Sequence, residues 1–461
     1  MSTVSSRAAE QRLELKNATS GLCLAIAILI ACSWSGAAYA VPAFAVQTGQ
    51  PCASCHVGGF GPQLTPFGRQ FKMEAYTMRG TDAFVVPVSA MAVASSMNTA
   101  QDQPAPPAPH YGVNNNSTID QVSLFLAGGA GQNFGGFFQG TYDGVGRAYA
   151  WDNLDLRAVT RTKLGDTDAI LGLSLNNAPG VQDTWNTMAA WGFPYTGSDL
   201  MPAPGASPIL DGGLAQTVIG VSAYAYVNSS FYEEAGLYMT PSDDFLSAVG
   251  TPADGSAGRL RNAAPYVRFA YQKSFGDQNF EIGAFGFAPR LYPGGDKSTG
   301  KSDLYVDVGL DASYQFTGDG KNIYTFNGRY TYERQRLSAS VISGGAANPK
   351  NTLNDVRVDA SYYWHNLLGG TVQAFNTWGS TDADLYIDNR TLKPDSTGVE
   401  LQLDATPFAN HPSVLGTRFN VRVGVQYIAY TRFDGAAKNY DNTGRNASDN
   451  NTLRVFLWSA Y

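Results

Sequence analysis

The chain has 461 residues and a formal net charge of −7, and it is 44% hydrophobic and 12% aromatic but only 15% charged. A charged fraction so far below the roughly 25% of ordinary domains argues against a conventional soluble surface, and so apolar a composition excludes a disordered chain. The long apolar run is confined to the extreme N-terminus, which excludes a bundle of membrane helices, and the slight acidic excess leaves no footprint for nucleic acid.

Taken in chain order, Arg7, Arg12 and Lys16 precede an apolar stretch from Leu22 to Ala31, and Ala38-Tyr39-Ala40 comes next. A basic head, a short apolar core and an A-x-A end form a secretory signal over 1–40, with the mature chain starting near Val41. Leu29-Ile30-Ala31-Cys32 also fits a lipoprotein cleavage box, which would leave a lipid on Cys32. Cleavage at Ala40 leaves Cys52 and Cys55 as the only cysteines.

Those two belong to Cys52-Ala53-Ser54-Cys55-His56, a C-x-x-C-H motif. Two thiols on one turn can add to the two vinyl groups of a porphyrin while the next residue offers its imidazole to the iron, so one covalently bound haem c is expected, with His56 as proximal ligand. A disulfide or half a zinc site is the plain alternative, but zinc needs a second Cys or His pair, which the sequence lacks. Met73 and Met78, 17 and 22 residues after His56, are candidates for the distal position, with His110 beyond a proline-rich loop a third and an open site a fourth. The segment 41–80 is too short to bury a core by itself and must lean on a cofactor and on the rest of the chain.

From 81 to 461 the apolar residues alternate with period two. Leu304, Val306, Val308 and Leu310 oppose Asp303, Asp307 and Asp311; Val421, Val423 and Val425 oppose Arg418, Asn420 and Arg422. The pattern predicts strands at 82–96, 118–130, 134–144, 151–163, 167–177, 213–227, 229–240, 261–274, 278–290, 302–316, 321–335, 353–364, 367–379, 396–406, 415–431 and 451–461. Short connections alternate with long ones, two exceptions being a short external loop at 145–150 and a wide turn at 407–414. Even strand number, tight turns on one side and long loops on the other describe a transmembrane antiparallel barrel of about 16 strands, and an even count puts both chain ends on the periplasmic side. Leu453, Val455, Leu457 and terminal Tyr461 on one face suit a closing strand handled by the barrel assembly machinery, and tyrosines and phenylalanines at strand ends suit interfacial girdles. A soluble sandwich or propeller would need blade-like repeats that the sequence does not contain.

The stretch Pro42-Ala43-Phe44-Ala45-Val46-Gln47-Thr48-Gly49, the haem motif, and Pro62-Gln63-Leu64-Thr65-Pro66-Phe67-Gly68-Arg69-Gln70-Phe71-Lys72 resemble the start of the fused monohaem cytochrome–porin family, whose best-known members are outer-membrane iron oxidases of iron-oxidising bacteria. Val181-Gln182-Asp183-Thr184-Trp185-Asn186 and Trp191-Gly192-Phe193-Pro194 also look like a loop of that family. The resemblance is sharp over 42–76 and architectural beyond, and Ala75 stands where a glycine is expected before Tyr76. It implies a small c-type cytochrome segment plugging the periplasmic end of a barrel in the outer membrane of a Gram-negative cell. It further implies a ferrous iron oxidase with Fe(II) as donor and a periplasmic c-type cytochrome as acceptor. A cytochrome–porin fusion serving another extracellular donor or acceptor, and a haem-gated porin, are the alternatives. Asp303, Asp307, Asp311, Asp355 and Asp359 inside, with Asp243, Asp244, Asp382 and Asp384 in loops, are hard oxygen donors for a divalent cation, although a water-filled lumen carries both signs anyway. Arg69 and Lys72 are expected either to neutralise haem propionates or to fix the segment to the barrel wall.

Overall fold

The computed structural model describes residues 42–80, 87–251, 257–318, 320–410, 413 and 419–461. The expected signal segment with its cut before Val41, the alternative at Cys32 and the side chain of Arg418 lie outside them.

Three short helices come first, α1 (Pro42–Thr48), α2 (Cys52–Cys55) and α3 (Pro66–Met73). Next come β1 (Val88–Thr99), β2 (Asn116–Ala130), β3 (Phe134–Asp143), β4 (Ala148–Leu164), β5 (Thr167–Asn176), β6 (Ile219–Val227), β7 (Phe231–Met239), α4 (Asp243–Ala248), β8 (Arg259–Leu260), β9 (Ala264–Phe275) and β10 (Gln278–Phe287). The second half comprises β11 (Arg290–Tyr292), β12 (Asp303–Phe316), β13 (Asn322–Arg336), α5 (Ser338–Ser343), β14 (Lys350–Trp364), β15 (Leu368–Gly379), β16 (Ser396–Ala405), β17 (Asn420–Arg432) and β18 (Thr452–Ala460). Every long strand pairs antiparallel with its neighbours in sequence, and β1 closes the sheet on β18 in the register Met91 to Ala460 through Thr99 to Thr452. The two- and three-residue strands β8 and β11 pair with each other in the long loops. What remains is a closed barrel of sixteen strands, as the alternation predicts, with the start of β1 and the end of β18 on the short-turn side. The expected strand starts at 82 and 415 lie outside the described residues; within them the largest displacement is at β6, which begins at Ile219 rather than 213 because Leu214 and Val218 are buried in an inward-folded segment.

The alternation sorts side chains as expected. On β18, Leu453, Val455 and Leu457 are 45–49% exposed, whereas Arg454, Phe456 and Trp458 are at most 6% exposed. On β12, Val308 and Leu310 face out and Asp303, Asp307 and Asp311 are buried. An apolar exterior around a charged interior reverses the layout of a soluble protein and is that of a barrel lying in lipid. Exposed Phe134, Phe231, Phe275, Tyr324, Tyr362 and Trp364 gather at the short-turn end, with Tyr324 stacked on Tyr362 at 4.9 Å, as an interfacial girdle requires.

The interior is where the structure departs from the expected water-filled lumen. Residues 42–80 sit inside the short-turn mouth as a plug. Residues 177–218, of which the sequence assigns 178–212 to a long external loop and 213–218 to the start of a strand, fold into the barrel as a strap: Val181, Gln182, Thr184, Leu200 and Val218 are all fully buried. A connection of that length without regular structure is uncommon in a compact domain unless it works as a packed functional loop.

Candidate functional site

The haem motif occupies a single helical turn. His56 N–H donates to the carbonyl of Cys52 at 2.9 Å, and His56 itself is extended (φ −120°, ψ 134°), so the chain leaves the helix at the residue that carries the imidazole. Thr65 caps α3 by accepting from Gly68 N–H at 3.2 Å, with Pro66 in the first turn where its missing N–H costs nothing. Gly68 lets α3 lie against α2, since a Cβ there would overlap the carbonyl of Cys55. Gly58 (φ +70°) brings the loop after the motif onto the wall, where a side chain would run into Tyr363 and Arg422.

Cys52 and Cys55 are free, buried thiols rather than a disulfide. Burial pushes both up to about 12, so neither is a reactive thiolate, and Asn420 Nδ2 lies 3.3 Å from the sulfur of Cys52. Burial, assisted by the charge of Arg422, brings the imidazole of His56 down to about 4 and keeps it neutral. Both thiols and His56 line one cavity of about 970 Å³. It is bounded by Ser89 to Met91 on β1, by inward residues of β2, β3 and β4, by Glu400, Asn420, Ile428 and Trp458, and by strap residues 190–199. Because Thr48 at the plug and Val145, Gly250 and Thr251 at the long loops all line it, the cavity extends from the haem motif toward the external side. Among the described residues that line it, six buried polar atoms have no hydrogen-bond partner: His56 Nδ1, Ser89 Oγ, Asp120 Oδ1, Trp191 Nε1, Tyr195 Oη and Thr251 Oγ1.

The distal-ligand expectations need correcting. Met73 is 1% exposed and packs among Val159, Ile170, Trp185, Tyr224 and Tyr232, and Met78 packs against the cluster of Phe71 and Tyr76. Neither lines the cavity, because the end of α3 turns Met73 toward the wall of β4–β7 and the chain beyond the helix packs Met78 on the Phe71–Tyr76 cluster. The methionines that do line it are Met91 and Met201, and His110 lies exposed in the loop 100–115. Ala75 and Tyr76 both adopt left-handed backbone (φ 55° and 57°), which explains why a glycine is the expected residue before Tyr76.

Lys72 ties the plug to the strap, whereas the hydrogen bond of Arg69 stays within the plug. Lys72 Nζ donates to the carbonyls of Val181 (2.7 Å) and Asp183 (2.8 Å) and lies 5.3 Å from the Trp191 ring centre, while also lining the cavity. Burial lowers it to about 8. Arg69 is buried with Nη1 on the carbonyl of Leu64 and does not line the cavity. Gln47 joins plug to wall by donating to the carbonyls of Tyr76 and Met78 and accepting from Gly129 N–H.

Nor do the interior carboxylates form a cation site. Asp303 accepts from Ala339 N–H and Ser340, Asp307 from Leu210 N–H, and Asp359 from Asn327. Asp311 and Asp183 converge on Arg268 at 2.7 and 3.1 Å, with Glu281 at 3.3 Å, and Asp355 with Asp211 flanks Arg329. In the loops Asp243 pairs with Arg259, Asp382 is enclosed by backbone N–H groups, and Asp244 and Asp384 are exposed. Among the described residues no group of three or more His, Cys, Asp or Glu side chains is arranged to hold a metal ion.

The barrel is similar in architecture to several solved structures. OmpT, an outer membrane protein of Vibrio cholerae, covers 83% of this chain and 98% of its own at 10% identity and a TM-score of 0.45. OprB of Pseudomonas putida covers 81% and 93% at 11% identity and 0.45, and an anion-selective porin from Comamonas acidovorans 81% and 98% at 10% identity and 0.42. No protein-family model matches the sequence, and no curated protein matches it significantly. The strand pairing of the chain itself, not these likenesses, establishes its closed barrel.

Proposed function

We propose that the chain is an outer-membrane electron conduit that oxidises extracellular Fe(II) and passes the electron to a soluble periplasmic c-type cytochrome through one haem c. The observation that carries the reading is the placement of Cys52, Cys55 and His56 on one cavity inside the plugged end of the barrel, with a neutral imidazole and an unpartnered Nδ1. Cys52 and Cys55 would hold the group by thioether bonds and His56 would be its proximal ligand; when bound, it supplies a one-electron couple. The residues of the chain do the rest. The α2 turn presents the two sulfurs and the imidazole together, and the plug and strap exclude bulk water from them. The cavity's far end, where Asp120, Asp143 and Asp199 line it, favours approach of a cation from the long-loop side. Electron transfer weakens steeply with distance, so a carrier inside the barrel shortens the crossing of an apolar band of about 25 Å. Phe67 and Arg79 of the plug are exposed for an acceptor on the other side.

A solute porin is less well supported, since plug and strap occupy the lumen that such a pore keeps open. Purified outer membranes titrated anaerobically with Fe(II) test the reading. Growth of reduced α and β bands is expected, whereas inert haem together with free solute flux would favour the gated porin. Reduction by another donor but not by Fe(II) would keep the conduit and discard iron.

A further inference from the structure

Strap residues 190–199 form one side of the cavity, facing the haem motif of the plug. Two of the cavity's unpartnered buried atoms, Trp191 Nε1 and Tyr195 Oη, are on this stretch, and an indole N–H acts only as a donor. A buried donor left unpaired keeps its full desolvation penalty, so its retention calls for a partner that the polypeptide does not provide. Tyr195 is moreover held at φ +76°, a left-handed conformation unusual for a bulky residue and tolerated where the surroundings enforce it. The enforcement is visible on both sides. Asn186 Oδ1 accepts from Leu64 N–H of the plug, while Thr196 offers its carbonyl to Gln426 and its hydroxyl to Arg454. Trp191 is braced by Lys72 at 5.3 Å and by the Phe137 ring at 6.1 Å.

A porphyrin attached at Cys52 and Cys55 brings two hydrogen-bonding substituents into such a space, its propionate carboxylates, and both are acceptors. We infer that Trp191 and Tyr195 are positioning residues that donate hydrogen bonds to the haem propionates, so that the strap, and not a cationic residue of the plug, orients the acidic edge of the cofactor. This rests on the haem reading above. It also accounts for Lys72, which lines the cavity, giving two of its donors to the strap carbonyls of Val181 and Asp183.

The test uses the full-length mature protein in detergent. Y195F and W191F are compared with wild type by pyridine haemochrome for covalent haem, by heat-modifiable gel mobility for barrel folding, by potentiometric titration, and by resonance Raman of the propionate-bending bands. Y195F keeps the ring, so packing is preserved. The expected result is unchanged covalent haem, a shifted propionate band, and a lower potential, because carboxylates stripped of donors favour the oxidised iron. The ratio of oxidised to reduced protein at fixed potential should rise by up to about tenfold, equivalent to about 59 mV for a one-electron couple. Folded, haem-bearing variants with wild-type potential and propionate bands would overturn the inference while leaving the haem reading intact. A wild-type protein without pyridine haemochrome would overturn both.

Discussion

The two halves of the barrel interior are built from the same alternating strands and put to different uses. Along β7 to β14, inward charges are consumed: Arg268 meets Asp183, Asp311 and Glu281, Arg329 meets Asp211, and Asp307 and Glu333 accept from the strap N–H groups of Leu210 and Ile209. Along β1 to β4 and β16 to β18, the wall pairs Arg454 with Asp120 and Arg422 with Asp404 and holds the strap at Thr196 through Gln426 and Arg454, yet leaves beside these contacts the cavity that reaches Cys52 and His56. The difference teaches that an inward-facing carboxylate in a barrel has no fixed role. What decides is whether the strap lies against it, since a buried charge is tolerated only when paired.

The largest effect is expected on the clamped half. R268L leaves Asp183, Asp311 and Glu281 buried without their shared cation and should cost about 3–5 kcal/mol in urea unfolding in detergent micelles. It should also raise conductance in planar bilayers as the strap loosens; wild-type stability and a closed barrel in R268L would break the comparison. M73A, at the junction of plug and clamped wall, should cost about 2–5 kcal/mol, whereas M73L should leave the absorption spectrum of the proposed haem unchanged, since Met73 packs among Val159, Ile170, Trp185 and Tyr232. G58A forces a side chain at φ +70° into Tyr363 and Arg422 and should loosen the plug by about 1–3 kcal/mol, seen as faster protease cleavage near residue 58.

Outside the lumen, Asp382 gives a pH signature. Burial opposes its ionisation, but N–H groups of Leu385, Ala347 and Asn348 and the Asn351 amide bring it down to about 2. Its contribution is therefore full above its ordinary value of 3.8 and is lost as pH falls through about 2. Pepsin should leave the loops 337–349 and 380–395 intact at about pH 3 and cut them below about pH 2, with D382N cut already at pH 3. The smallest effect belongs to the cavity half. Partial burial and then Asp143 and Asp120 raise the carboxyl of Asp199, so D199N should shift unfolding by no more than about 0.5 kcal/mol, toward higher stability. A loss comparable with R268L would erase the distinction between the halves.

The wall was legible because its signal is local. Leu453, Val455 and Leu457 must face lipid and Arg454 must not, and a period of two states this residue by residue. The Cys52–His56 motif was legible for the same reason, since five consecutive residues contain all of its chemistry. The strap was not. Residues 178–212 carry no periodic pattern, and the hint that they fold inward, Val181 to Trp185 carrying a single charge and ending in a tryptophan, becomes decisive only beside Lys72 and Arg268. The packing of Met73 and Met78 was not legible, because distance along the chain from His56 says nothing about which way the end of α3 and the turn after it point a side chain.

The sequence alone therefore determined the strand count, the sidedness of each strand and the sharing of one turn by the two thiols, because all three derive from backbone period and nearest-neighbour spacing. Tertiary structure alone decided that the lumen is filled, which carboxylates are spent on arginines, and which side chains of the strap face the haem motif. Those outcomes depend on contacts between segments more than a hundred residues apart, such as Lys72 with Val181 and Arg422 with Gly58, and no local pattern encodes them.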